Sequence, residues 1–162
     1  MTADAFSEIQ VGKIYKTDQD KLGVAIAEAH LGLSEGGIPI GAALFDEEGR
    51  LLGSGHNLRV QEGDASMHGE TSAFRNAGRQ RSYRKVTLAT SLSPCWYCSG
   101  LIRQFGIGRV LVGDDKNFMG GQDWVAEHGA EVHVMNDPGL IKIMGDFIDA
   151  NHELWFEDIG KD

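Results

Sequence analysis

Two short segments constrain this chain more strongly than any other part of its sequence. Residues 68–70 read His-Gly-Glu, and residues 94–98 read Pro-Cys-Trp-Tyr-Cys. One imidazole and two thiolates form the ligand set of a zinc site with an open fourth position, where a bound water becomes a nucleophile because the cation lowers its pKa to about 7. The sequence therefore predicts one Zn²⁺ ion per subunit, held by His68, Cys95 and Cys98, with Glu70 beside it as the catalytic carboxylate.

Both segments are predicted to stand at the start of a helix. Cys95 and Cys98 are three residues apart, so one helical turn places both sulfur atoms on the same face. A helix N-terminus also favours thiolate over thiol through its partial positive charge. Glu70 follows His68 by two residues, about 200° around a helix, so the first turn must be oriented to direct this carboxylate into the site.

Two other interpretations of the segments have less support. A structural zinc site usually has a fourth Cys or His ligand, and His30, His56 and His128 are not spaced as partners. A redox C-x-x-C pair is expected in a strand context that the sequence around these cysteines lacks. The remaining histidines, His133 and His152 among them, are interpreted as surface residues or as residues whose hydrogen-bonding atoms have partners.

Apolar spacing and turn residues predict five helices and five strands, with a first helix, then a hairpin of two strands, and then helices and strands in alternation. The predicted helices are Asp20–Glu35, His68–Ala77, Cys95–Phe105, Gln122–Glu127 and Pro138–Asp149. The predicted strands are Ile38–Phe45, Leu51–Leu58, Val86–Ser91, Arg109–Gly113 and Glu131–Met135. Residues 1–18 are expected to form a short helix or a loose arm, and residues 151–162 an aromatic and acidic tail.

Strands separated by helices favour parallel pairing with helices on both faces, and the hairpin makes the sheet mixed. We therefore expect an α/β fold: a three-layer α/β/α sandwich around a mixed five-stranded sheet. With 162 residues and neither an internal repeat nor a linker, the chain is expected to form a single domain over residues 1–162.

Charge and cysteine content exclude several functional classes. The net charge is −9, and an acidic surface repels phosphate backbones, which argues against nucleic acid polymers as partners. Five basic residues form a small cluster, interpreted as a solvated helix end and loop: Arg75, Arg79, Arg81, Arg84 and Lys85. Only two cysteines are present, which excludes a disulfide scaffold. Because neither a signal peptide nor a membrane span is recognisable, a soluble cytoplasmic protein is expected.

The motifs resemble those of the cytidine and deoxycytidylate deaminase superfamily, since H-x-E followed by P-C-x-x-C is typical of zinc nucleobase deaminases. The chain is more closely similar to fungal-type cytosine deaminases, which act on the free base. The supporting segments cover most of the chain beyond the first 20 residues: 35–41 (Glu-Gly-Gly-Ile-Pro-Ile-Gly), 55–59 (Gly-His-Asn-Leu-Arg), 68–70, 92–95 (Leu-Ser-Pro-Cys) and 155–160 (Trp-Phe-Glu-Asp-Ile-Gly).

The resemblance implies a role for each matching residue. Asn57 and the backbone N–H of Gly69 would bind the polar edge of the base, and Asp158 would contact its exocyclic amine. Further substrate-binding positions and apolar walls would come from Ile40, Leu92, Ser93, Phe118, Trp155 and Ile159. The family also implies a homodimer. The aromatic residues near the chain end are interpreted as a closing lid or as core or dimer packing.

The predicted function is zinc-dependent hydrolytic deamination of cytosine to uracil and ammonia. Glu70 would take a proton from the attacking water, pass it to a ring nitrogen and later assist the departure of ammonia, a contribution worth roughly 10²–10⁴-fold in rate. Guanine, isocytosine or another small amino-heterocycle is the alternative substrate, and adenosine in transfer RNA is disfavoured by the acidic charge. A non-catalytic zinc-stabilised binding domain is the alternative of another class, although such a domain has no use for Glu70.

Overall fold

A computed structural model of the protein describes residues 9–161. The first eight residues of the expected N-terminal helix or arm lie outside this range. Residues 9–17 form no helix but run beside the initial hairpin, where Ile14 makes an isolated antiparallel bridge to Arg50. The prediction of a single domain likewise extends beyond the described residues.

Seven helices and five strands are present in the described part of the chain. The helices are α1 (Asp18–Ser34), α2 (Arg59–Glu62), α3 (Gly69–Ala77), α4 (Trp96–Phe105), α5 (Gln122–Glu127), α6 (Pro138–Ala150) and α7 (His152–Asp158). The strands are β1 (Gly41–Phe45), β2 (Leu51–His56), β3 (Thr87–Thr90), β4 (Arg109–Val112) and β5 (Glu131–Val134). Within residues 9–161, no helix has the length and apolar character needed to cross a bilayer.

The five strands form one sheet in the order β2-β1-β3-β4-β5. β1 pairs antiparallel with both β2 and β3, whereas β3, β4 and β5 pair in parallel. Each parallel pair is joined through a helix, as a crossover connection requires. The predicted mixed five-stranded sheet is therefore confirmed.

Helices cover both faces of the sheet, so the three-layer architecture is confirmed as well. Side chains from α1 and α6 pack on one face: Leu22, Ala25 and Leu140 against Ala43, Phe45, Ala89 and Leu111. Side chains from α3, α4 and α5 pack on the other: Ala73, Ile102 and Val125 against Ala42, Leu44, Leu88 and Val110. A third cluster, made of Ile38, Ile40, Leu92, Met144, Phe147 and Trp155, joins α6 and α7 to the loops beyond the strand ends.

The structure corrects two predicted strands and adds two helices. The predicted strand Ile38–Phe45 begins only at Gly41, because Pro39 has no N–H to donate and the Ile40 N–H donates to the Ile38 carbonyl instead. The predicted strand Leu51–Leu58 ends at His56, and the four-residue helix α2 follows. Helix α7 occupies most of the segment that had been predicted only as a tail.

Two glycines of β2 allow α3 to lie directly against the sheet. A Cβ atom on Gly53 would lie 2.4 Å from the Ala77 backbone nitrogen, and one on Gly55 would lie 2.3 Å from Ser72 Oγ. Any larger side chain would push the helix away from the strand. This contact fixes the height and rotation of α3, and with them the direction in which its first turn presents residues 68–70.

The basic cluster lies where it was expected. Its five members are exposed in α3 and in the loop before β3. Arg75 contacts Glu62 at 3.2 Å and Lys85 contacts Glu47 at 3.1 Å. These contacts are solvated ion pairs of an acidic protein.

Candidate metal centre and active site

His68 and Cys95 occupy the same position in two different helices. Each is the N-cap residue, His68 before α3 and Cys95 before α4, with extended backbone angles. The Cys95 sulfur accepts the backbone N–H of Cys98 at 3.4 Å, and Thr71 Oγ1 accepts the backbone N–H of His68 at 2.8 Å. The positive ends of both helices therefore converge on the site, which favours thiolate and carboxylate groups there.

The three predicted zinc ligands come together in the structure. Their ligand atoms all lie within 4.8 Å of one another, and Cys95 Sγ lies 3.4 Å from Nδ1 of His68. Ligands on one tetrahedral zinc ion are separated by roughly 3.5–3.8 Å, given Zn–S and Zn–N bonds of about 2.3 and 2.0 Å. The donor set His68, Cys95 and Cys98 therefore fits Zn²⁺, and an ion held by these three ligands would have a fourth position for water.

The three ligand side chains shift one another's pKa values. A hydrogen bond from the Cys98 thiol and another from His68 lower the pKa of Cys95 to about 4, against the opposing effect of burial. The contact with Cys95 and burial together raise the pKa of Cys98 well above its usual value. Burial opposes a charged imidazole, yet Cys95 and the Glu70 carboxylate raise the pKa of His68 to about 9. A thiolate is thus already present for a cation, and metal binding displaces protons from the other two groups.

Glu70 points into the site as the zinc chemistry requires. Its side chain is buried, and its carboxyl lies against Thr90, whose Oγ1 is 2.7 Å from Oε1, and against Cys98. Burial is the main reason that the pKa of Glu70 is raised. Thr90 Oγ1 also lies 2.9 Å from the Leu92 carbonyl oxygen. Because a hydroxyl has a single proton, Thr90 can donate to the Glu70 carboxylate, or donate to Leu92 while accepting from a protonated Glu70.

The predicted site residues surround one small inner pocket. It is lined by Ile40, Asn57, His68, Gly69, Glu70, Leu92, Ser93, Cys95, Phe118, Trp155, Asp158 and Ile159. All of the predicted side chains except Cys98 are in this lining, and Cys98 is fully buried behind Cys95. The pocket encloses about 20 Å³, which is room for about one water molecule.

A larger cavity of about 1080 Å³ adjoins the inner pocket. Six residues line both spaces: His68, Cys95, Phe118, Trp155, Asp158 and Ile159. Phe118 and Trp155 meet edge to face, with ring centroids 5.7 Å apart. These two rings therefore lie where the inner pocket meets the outer cavity.

Two polar side chains from distant segments meet at the inner pocket. Asn57 is fully buried, its Oδ1 accepts the backbone N–H of Arg59 at 3.0 Å, and its side chain lies against Asp158, although Nδ2 has no well-aligned acceptor. Asp158 is on α7, and its side chain is only 6% exposed. Its Oδ1 also lacks an aligned donor, although Arg59 Nη1 lies 3.1 Å away.

Ser93 lies in the pocket wall, but its polar atoms serve the neighbouring loop. Its N–H donates to the Asp114 carbonyl, and its Oγ accepts the N–H of Gly120. Asp114 in turn accepts the N–H groups of Lys116 and Asn117 and the Asn117 side-chain amide. This network fixes the turn that carries Phe118.

The sequence interpretation assigned no role to Thr90, Arg59 or Asp114. Thr90 could have been found, because it lies near the end of a predicted strand that leads directly to the first cysteine. Arg59 belongs to the Gly-His-Asn segment but carries no metal-ligand or acid–base signal of its own. Asp114 follows a strand on the other side of α4, and its relevance appears only in the fold.

Comparison with known proteins agrees with this geometry. Residues 15–114 match the family model of the cytidine and deoxycytidylate deaminase zinc-binding region. The chain is 42% identical to a cytosine deaminase of Candida albicans over 89% of this chain and 97% of that protein. It is 37% identical to a tRNA-specific adenosine deaminase of Buchnera aphidicola over 56% of this chain and 61% of that protein.

The fold is also shared with solved structures. A guanine deaminase from Nitrosomonas europaea superposes with a TM-score of 0.73 and 16% identity, over 91% of this chain and 93% of that one. This similarity concerns the fold alone, whereas the family model and the Candida relative include the motifs of the metal centre. The chain therefore belongs to the cytidine and deoxycytidylate deaminases, zinc-dependent hydrolases of C–N bonds, and is a homologue of cytosine deaminase.

Proposed function

We propose that this protein converts free cytosine to uracil and ammonia. The observation that carries the proposal is the meeting of Asn57, Asp158 and Glu70 around one small pocket beside the metal ligands. Similarity to a cytosine deaminase over 89% of this chain and 97% of that protein supports the same substrate.

His68, Cys95 and Cys98 would hold the zinc ion, which when bound supplies an activated water. Glu70 accepts the proton of that water and delivers it to the ring nitrogen next to the carbon under attack. The carboxylate, having given up that proton, then takes the hydroxyl proton of the tetrahedral adduct and transfers it to the amine, which departs as ammonia while the carbonyl of uracil forms. Its burial and raised pKa suit a group that must be protonated in mid-reaction.

The base is oriented by groups of opposite hydrogen-bonding character. Nδ2 of Asn57 donates to the ring carbonyl, and so does the Gly69 N–H, since the first N–H groups of a helix have no intrahelical acceptor. The Asp158 carboxylate accepts from the exocyclic amine. Cytosine carries one acceptor and one donor at these positions, so this arrangement selects a base with both.

Pocket size favours a small ring over a purine. The enclosed space of about 20 Å³ is already too small for a pyrimidine, so Phe118, Trp155 and Ile159 must move outward to admit one. A purine would require a larger movement of the same residues. We propose that these three residues form the gate between the inner pocket and the outer cavity.

The direct test is ammonia release from cytosine by the zinc-loaded protein. We expect cytosine to have the highest kcat/KM in a panel with isocytosine, guanine and adenine, because the other bases present a different donor and acceptor pattern. Absence of turnover with cytosine but turnover with guanine would replace this proposal with its main alternative. Deamination of adenosine in transfer RNA is a further arm of the panel, for which we expect no activity.

We further propose a cytoplasmic homodimer whose product enters pyrimidine salvage. An apolar surface suited to self-association lies beside the site, where Trp96 and Tyr97 are 66% and 51% exposed and Met119 is 50% exposed. Exposed aromatic patches of this kind are typical of interfaces. Light scattering after gel filtration should give twice the chain mass, and Trp96→Asp should give the monomer; a wild-type monomer would contradict this part of the proposal.

A further inference from the structure

We propose that Arg59 is the positioning residue that holds both polar ends of the substrate pocket together. It is the first residue of α2, and it is only 8% exposed despite its charge. Its backbone contacts Asn57, and its guanidinium contacts α7. The role in substrate binding rests on the proposed function, whereas the role in holding α7 does not.

The backbone of Arg59 determines which way the Asn57 amide faces. The Arg59 N–H donates to Asn57 Oδ1 at 3.0 Å. With its oxygen fixed in this way, the amide presents its NH₂ group to the pocket, where Nδ2 is buried without a well-aligned acceptor. Asn57 is therefore held as a donor before any base enters.

The guanidinium of Arg59 contacts two adjacent carboxylates of α7. Its Nη2 lies 3.2 Å from Glu157 Oε1, and its Nη1 lies 3.1 Å from Asp158 Oδ1. Glu157 is 68% exposed, whereas the side chains of Arg59 and Asp158 are both 6% exposed. A buried guanidinium needs a buried counter-charge, so Asp158 is its essential partner and Glu157 is an outer support.

The buried pair is close but incompletely hydrogen-bonded. Arg59 Nη1, Asp158 Oδ1 and Asn57 Nδ2 are all buried without an aligned hydrogen-bond partner. These three groups face one another, because Arg59 Nη1 lies 3.1 Å from Asp158 Oδ1 and the Asn57 side chain lies against Asp158. A base with a carbonyl and an amine supplies an acceptor for Asn57 and a donor for Asp158.

Arg59 joins the segment after β2 to α7, and the side-chain contact of Asn57 with Asp158 links the same two parts of the chain. Arg59 lies 98 residues before Glu157, and α7 otherwise packs through the apolar side chains of Leu154, Trp155 and Ile159. Loss of the guanidinium should therefore free α7 and misplace Asp158 while the zinc ligands and Glu70 stay in place. The effect should fall on substrate binding more than on the chemical step.

The test compares zinc-loaded Arg59→Met and Arg59→Lys with Arg75→Met as the matched control, since Arg75 makes an exposed ion pair with Glu62. For Arg59→Met we expect KM for cytosine to rise at least tenfold, kcat to change less than KM, and zinc content to stay at one per chain. Arg59→Lys should recover part of the affinity, because an ammonium can pair with only one carboxylate at a time. Arg75→Met should behave as the wild type.

Amide hydrogen exchange of the free protein gives a second measurement that needs no substrate. We expect residues 152–158 to exchange at least tenfold faster in Arg59→Met than in the wild type, with β3 unchanged. KM and α7 exchange both within twofold of wild type would overturn the proposal. If the wild type does not act on cytosine, the proposed function fails while the exchange comparison still decides whether Arg59 holds α7. If Arg59→Met does not fold, Arg59→Lys and Glu157→Gln provide the same comparison.

Discussion

At the scale of single residues, the site depends on where side chains stand in their helices. His68 and Cys95 both precede a first helical residue, so each projects from a helix end and not from its side. The spacing of these residues was enough to predict the ligands. It was not enough to predict the orientation of Glu70, because that depends on how closely α3 approaches β2 at Gly53 and Gly55, a tertiary contact.

Removing the Glu70 carboxylate should separate catalysis from metal binding. Glu70→Gln keeps the size of the side chain but cannot accept a proton, so we expect kcat to fall by roughly 10²–10⁴-fold, with zinc content and Tm close to those of the wild type. Steady-state kinetics and metal analysis of the same preparation provide the check. Near-normal turnover would exclude Glu70 as the proton carrier.

Thr90 should matter through Glu70. Thr90→Val keeps the shape of the side chain and removes the hydroxyl 2.7 Å from Glu70. A lost hydrogen bond of about 0.5–1.5 kcal/mol corresponds to a fall of roughly threefold to tenfold in kcat with little change in KM. Thr87→Val in the same strand is the control, since Thr87 is buried but lies outside the pocket lining. An equal effect of both variants would assign the loss to strand stability.

At the scale of elements, five helices could be predicted, including the six-residue α5, whereas α2 and α7 could not. α2 has only four residues, too few to show a helical period, and it is recognisable only from its closure at Gly63 in the left-handed region. α7 follows α6 after a break at Asn151 and has no side-chain cap. It forms because Trp155 finds a buried position beside α6, which is a tertiary effect that overrides weak local signals.

His56 joins α1 to the end of β2. Its Nδ1 lies 2.6 Å from Glu28 and its Nε2 lies 2.7 Å from Glu35. Burial alone would lower the pKa of His56, but these two carboxylates raise it. A raised folded-state pKa stabilises the protein fully below the ordinary value of about 6.5, and this stabilisation disappears as the pH rises through the folded-state pKa.

His56→Gln should therefore destabilise the protein in a pH-dependent way. We expect a loss of about 1 kcal/mol near pH 6, or roughly 2–4 °C in Tm, which narrows as the pH is raised toward 9. Thermal melts of both proteins with excess zinc measure this difference. His133→Gln removes an exposed His–Glu contact and should change Tm little at any pH. If the Tm difference between His56→Gln and the wild type is the same from about pH 6 to about pH 9, a stabilising charged form of His56 is contradicted.

At the scale of the whole molecule, the metal centre links the two helices that start beside it to a single sheet. α3 and α4 pack on the same face, and their N-caps meet at the zinc ligands. A cation held between them binds the folded chain and not the unfolded one, so its binding energy adds to the stability of the fold. The acidic surface makes no comparable contribution.

Metal removal should consequently lower the melting temperature. With zinc at one thousandfold its Kd the stabilisation is about 4 kcal/mol, equivalent to roughly 8–16 °C for a chain of this size. Calorimetry with and without a chelator measures it, and Cys95→Ala should melt like the chelated wild type and respond little to chelator. If the chelated and the zinc-loaded wild type have the same Tm, metal binding does not stabilise the fold.

The small volume of the inner pocket has a consequence for the rate of turnover. If Phe118, Trp155 and Ile159 form the proposed gate to the inner pocket of about 20 Å³, each cycle includes one opening for the base to enter and one for the product to leave. If opening of the gate is slower than the chemical step, faster proton transfer at Glu70 would not raise kcat. Solvent viscosity slows movements of the pocket wall but not proton transfer. In that case kcat would depend on solvent viscosity.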